Sequence, residues 1–91
     1  MNNNYYFTYG NGDDMPFKGG WTVIQAPNIK AAANIFAAYH PNPDDSEILN
    51  CADYYTEEAF MRTKMSREGN FGKMCVEMII RVPMEGSNEQ A

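Results

Sequence analysis

Arg62, Lys64, Arg67 and Lys73 fall within twelve positions, and only Glu68 opposes them there. Inside that span lies "GNFGK", residues 69–73. A glycine-rich turn presents backbone N–H groups, and nearby cations add attraction for an anion. A ring at Phe71, or an exposed tyrosine, offers a face on which a base can stack. Arg62, Lys64, Arg67, Asn70, Phe71 and Lys73 therefore form a candidate site for a small anionic ligand, with a nucleotide as the example. The spacing matches neither G-x-x-x-x-G-K-[ST] nor G-x-G-x-x-G. A plainer account makes Gly69 a helix C-cap and Gly72 a turn residue ahead of a strand. It explains both glycines, but not the bracketing cations or the phenylalanine on the turn.

Other chemistry finds less support. Soft metal ligands are limited to His40, Cys51 and Cys75, with no C-x-x-C and no H-x₃-H, so no metal is expected. A Cys–His nucleophile would need His40 with one of the cysteines. Both cysteines fall inside apparent strands, away from any helix N-terminus that would favour the thiolate. They read as small buried hydrophobes. The pairs Asp13–Asp14 and Asp44–Asp45 read as solvated loop charge, and Glu57–Glu58 as a complement to a helix dipole. No cofactor motif and no catalytic motif is present, and the expectation is a non-enzymatic protein.

The elements that must hold these residues follow from pattern. "YYFTY", residues 5–9, is aromatic and β-branched and predicts a strand. Residues 10–20 are loop chemistry throughout, and "WTVIQA", residues 21–26, predicts a second strand. Asn28 is a helix N-cap, and apolar spacing from Ile29 to His40 predicts a helix that Pro41 ends. Residues 48–55 alternate weakly and predict a third strand. Thr56 caps a second helix over residues 57–66. The last strand, residues 73–82, alternates most clearly, with Met74, Val76, Met78, Ile80 and Val82 on the face expected to be buried. Residues 84–91 lack apolar content and read as a tail, leaving residues 1–83 as one domain. The order is β-β-α-β-α-β. The fold class expected is α+β: a four-stranded, mainly antiparallel sheet with two helices on one face. On such a one-sided sheet the aromatics Tyr5, Tyr6, Phe7, Tyr9 and Trp21 divide between core and an exposed stripe, and Tyr6 and Tyr9 join the candidate surface.

Ninety-one residues suit a single modest core. Twelve aromatics and seven methionines are too many for a disordered chain. No apolar run approaches the roughly 20 residues that span a bilayer. The polar N-terminus has no signal-peptide pattern, so a cytoplasmic protein without membrane partners is expected. The net charge of −5 argues against duplex nucleic acid as a partner. The charge is uneven: residues 1–60 hold two basic and eight acidic side chains, a net −6.

The pieces "YYFTYG", "PFKGGW", "HPN", "LNCADYYTEEAF" and "GNFGKMC", in this order and spacing, resemble a group of short proteins encoded by phages and mobile elements of gut Firmicutes. The resemblance spans nearly all of residues 4–80 and implies a phage origin and a bacterial host cytoplasm. It carries no activity and no site residues. Small acidic phage proteins without a catalytic motif are often inhibitors of host defence, and that sets the first expectation: an inhibitor docking on a host protein. Asp13, Asp14, Asp44 and Asp45 would then present negative charge to a basic channel. The second expectation is a module that sequesters a nucleotide-like signal through the cationic segment and exposed aromatics, at a subunit interface of a homo-oligomer. An enzyme is the third and weakest.

Overall fold

The computed structural model describes residues 2–43 and 48–80. Seven elements follow in order: β1 (Asn3–Thr8), β2 (Trp21–Ala26), α1 (Ile29–Tyr39), β3 (Asp53–Thr56), α2 (Glu57–Met61), α3 (Met65–Glu68) and β4 (Cys75–Ile80). They build one four-stranded sheet in the order β3-β1-β2-β4. β1 pairs antiparallel with both β2 and β3, while β2 and β4 run parallel. The fold is α+β with the expected element order and a mainly antiparallel sheet. The proposed tail, residues 84–91, lies outside the described residues, as do Asp44 and Asp45.

Local chemistry explains the boundaries. Asn28 Oδ1 accepts the Ala31 N–H at 2.8 Å and starts α1, and the His40 N–H closes it on the Phe36 carbonyl at 2.8 Å. Thr56 Oγ1 accepts the Ala59 N–H and starts α2. The helix expected over residues 57–66 is broken into α2 and α3. Thr63 Oγ1 donates to the Phe60 carbonyl at 2.8 Å and Ser66 Oγ to the Thr63 carbonyl at 2.9 Å, so both hydroxyls compete for acceptors a continuing helix would use. The third strand is also shorter than residues 48–55. Leu49 and Cys51 turn into the core instead, and only residues 53–56 stay in the ladder.

The helices do not share a face. Phe36 and Ala32 of α1 pack on Tyr5, Phe7, Tyr9, Ile24, Ala26 and Ile79. Phe60 of α2 packs on the opposite side, against Tyr6, Trp21 and Val23. Phe7 and Phe36 stack at 4.7 Å on one side, and Tyr6 and Phe60 at 4.2 Å on the other. This corrects the one-sided sheet, and with it the exposed aromatic stripe: Tyr5, Tyr6, Phe7, Tyr9 and Trp21 are all buried.

The last strand is corrected as well. Trp21 pairs with Cys75 but Thr22 pairs with Glu77, so Val76 is an extra residue in a bulge. The bulge resets the alternation. Val76 and Ile79 meet the α1 core, whereas Met78 and Ile80, paired with Val23 and Gln25, face the other side. There α2 packs on β1 and β3 and leaves β4 uncovered. Met78 is 58% exposed and Ile80 53%.

Candidate functional site

"GNFGK" is a turn. Asn70 and Lys73 exchange backbone hydrogen bonds, Asn70 N–H to Lys73 O at 2.7 Å and Lys73 N–H to Asn70 O at 3.2 Å. Phe71 (φ 52°) and Gly72 (φ 79°) both stand in the left-handed region, as a type I′ turn requires. The Asn70 carboxamide donates to the carbonyls of Tyr9 at 2.7 Å and Gly20 at 3.0 Å, while the Gly20 N–H returns a bond to Asn70 O at 2.9 Å. A side chain at Gly20 would put its Cβ 2.5 Å from the Met74 carbonyl, and one at Gly19 would lie 2.7 Å from that of Asn70. "KGGW" therefore reads as the seat on which residues 70–76 rest. The N–H groups of Gly20, Asn70 and Lys73 all point to the chain's own carbonyls, so no preformed anion cradle is built from them.

The proposed site residues separate into groups. Arg62 pairs with Glu58 at 3.1 Å in an exposed i, i+4 bridge. Lys64, Arg67 and Lys73 are exposed, flank α3 and the turn, and form no ion pair among the described residues. Phe71 is 62% exposed at the turn's tip. Asn70 is a structural clamp. Tyr6 and Tyr9 are corrections: Tyr6 stacks on Phe60, and Tyr9 is buried with its hydroxyl on Thr22, so neither offers a ring to a ligand. Asp13 bridges to Lys18 at 2.5 Å on the surface, and Asp14 is exposed nearby.

A polar chain that pattern reading missed runs through the α1 side of the sheet. The Tyr9 hydroxyl donates to Thr22 Oγ1 at 2.6 Å, Thr22 donates to Glu77 Oε1 at 3.0 Å, and His40 Nε2 meets the same oxygen at 2.7 Å. The His40 ring lies between Phe17 and Phe36. Burial, with Glu77 nearby, pushes the Tyr9 phenol well above its ordinary 10.0 despite the Thr22 bond. The set has a nucleophile, an acid and a base, yet Thr22 is wholly buried and no substrate reaches its hydroxyl. It ties the end of α1 to β4. The only sequence hint was a glutamate inside an apolar strand.

Two further surfaces are open. Between α1 and residues 48–54 lies a cleft of about 620 Å³, lined by Ala33, Asn34, Ala37, Cys51 and Tyr54 among others, with Asp53 its one charged wall among the described residues. Burial, then Asp53, pushes the Cys51 thiol up to about 11, which leaves it protonated and unreactive near neutrality. The other surface lies on the side of β4 away from α1, where Cys75, Met78 and Ile80 are exposed, and Phe71 and Met74, just before the strand, are exposed too. Among the described residues no group of three or more His, Cys, Asp or Glu is placed to hold a metal ion. No helix there is long and apolar enough to cross a membrane. No family model, no curated protein and no solved structure matches this chain.

Proposed function

We propose that the chain is a non-enzymatic binding protein that acts by docking on another protein, and that the target is a defence protein of a bacterial host, which it inhibits. The observation that carries docking is that four large apolar side chains within residues 71–80, Phe71, Met74, Met78 and Ile80, are about half exposed or more. Phe71 holds a left-handed backbone that costs a non-glycine residue roughly 1 kcal/mol. The phenylalanine there leaves 62% of its surface in water. Aromatic and methionine side chains are the types enriched in interface cores. The choice of a host defence protein rests on the phage-type resemblance alone. The test is capture from a host extract with tagged full-length chain. Wild type should retain a specific host protein and suppress its activity. Met78→Glu with Ile80→Glu should lose it while the melting temperature moves by less than about 4 °C, because both side chains are already largely in water. Retention by the double variant would overturn the surface assignment.

A second reading is favoured by the α1 cleft, whose size falls within the ordinary range for small-molecule sites. It supports sequestration of a small planar molecule between Tyr54 and Asn34. A phosphate gains no cation there, since among the described residues the one charged wall is Asp53. Calorimetry against uncharged nucleosides and nucleobases tests this reading, and an absence of heat removes it.

A further inference from the structure

We infer that β4 receives an acidic, extended segment of the partner as a fifth strand of the sheet, an inference that rests on the docking reading and specifies its mode. β4 ends the strand order, so along Cys75–Ile80 one backbone edge meets β2 and the other meets no strand among the described residues. Such an edge is a template for pairing unless it is blunted. Residues 77–80, "EMII", contain no proline, no lysine and no bulge; the bulge at Val76 lies before them. The strand's one acid, Glu77, is turned to the α1 side and held by Thr22 and His40. On the opposite side Met78 and Ile80 stand exposed, and a strand laid alongside would set alternate side chains against them.

Charge decides the occupant. Lys64 at the N-terminus of α3, Arg67 within it and Lys73 in the turn lead into β4, all exposed, and none has an ion-pair partner among the described residues. Residues 64–73 hold these three cations against Glu68, a net +2, although the whole chain carries −5. An incoming strand with carboxylates gains attraction at those cations, and a basic one is repelled. A second copy would satisfy the backbone edge but bring no free acid on β4, because Glu77 is already engaged. Main-chain bonding with alternate side-chain contacts is the recognised logic of strand addition.

The test is an amide-resolved NMR titration of the full chain with synthetic peptides about eight residues long, near the usual strand length. One alternates Asp and Val, one alternates Lys and Val, and one carries a central proline pair in the Asp–Val frame. The Asp–Val peptide should shift the amides of Cys75–Ile80 and slow their exchange. It should bind at least about ten-fold more tightly than either control and weaken as salt rises. Arg67→Glu with Lys73→Glu should reverse the preference toward the Lys–Val peptide. Equal binding of acidic and basic peptides, or shifts confined to the α1 cleft, would overturn the inference. So would protection of β4 in the free chain: if it grows with concentration a second copy is the occupant, and if it does not the chain's own C-terminal residues are. Any of these leaves the docking reading standing as long as Met78→Glu with Ile80→Glu still abolishes capture of the host protein. If capture is indifferent to those changes, the docking surface itself is misplaced.

Discussion

Glu77 Oε1 takes two donors, and the loss of that single oxygen has a graded cost. Glu77→Ala leaves the buried Thr22 hydroxyl without its acceptor and His40 without its partner. The expected loss is about 2–3 kcal/mol by urea denaturation. Glu77→Gln keeps an acceptor and should lose less than half of that. The same region sets the alkaline limit. Tyr9 and Cys51 both have folded-state pKa values raised chiefly by burial, Cys51 from 9.0 to about 11 and Tyr9 upward from 10.0. A raised pKa means the folded chain holds its proton longer than the unfolded chain does. Stability is therefore full below pH 9 and falls as pH climbs through 9 to 11 and beyond. Melting curves between pH 7 and 11 should show that fall, and Cys51→Ser should flatten its lower part. None of this chain of contacts was legible in the sequence. Its members are 13, 37 and 55 positions apart, and no local spacing encodes such pairings.

Elements were more legible where one local rule governs. Asn28 and Thr56 announced two helix starts because capping needs only the next three residues. β2 was readable to the residue because turn chemistry bounds it on both sides. β4 misled because alternation presumes an unbroken ladder, and the extra Val76 turned the expected inner face outward. "YYFTY" is a run of large or branched side chains without a charged alternate, the pattern of a strand covered on both sides, and its residues pack into both clusters. The turn before β4 can be tested directly. Gly20→Ala drives a Cβ into the Met74 carbonyl at a left-handed backbone, and should cost more than about 2 kcal/mol in chemical denaturation. Phe71→Asn keeps the turn with a residue suited to its conformation and should raise stability by about 0.5–1 kcal/mol, while reducing partner capture. A variant that gains stability and loses binding would separate what the turn needs from what the aromatic ring does.

At the scale of the molecule, the candidate surface owes its existence to uneven coverage. α1 spans one side of the sheet, whereas α2 sits towards β1 and β3 on the other and stops short of β4. Of the acidic residues expected to act as a charge mimic, Asp13 is bridged to Lys18 in the loop between β1 and β2, and Asp44 and Asp45 lie outside the described residues. Neutralising Asp13 and Asp14 should therefore leave capture unchanged within about two-fold, whereas the Met78 and Ile80 changes abolish it. Composition gave the class and the absence of a catalytic motif, but which part of a sheet its helices leave bare is decided by packing, and no window of sequence holds that information. The parallel pairing of β2 with β4 has its own result for biosynthesis. Trp21 and Thr22 leave the ribosome more than fifty residues ahead of Cys75 and Glu77, their partners in the sheet. Throughout that interval β2 carries an open flank, and a nascent chain halted before residue 75 exposes it to any neighbouring polypeptide. The last strand to be made is thus the one that renders the newborn chain safe from its neighbours, and it does so by taking the open flank upon itself.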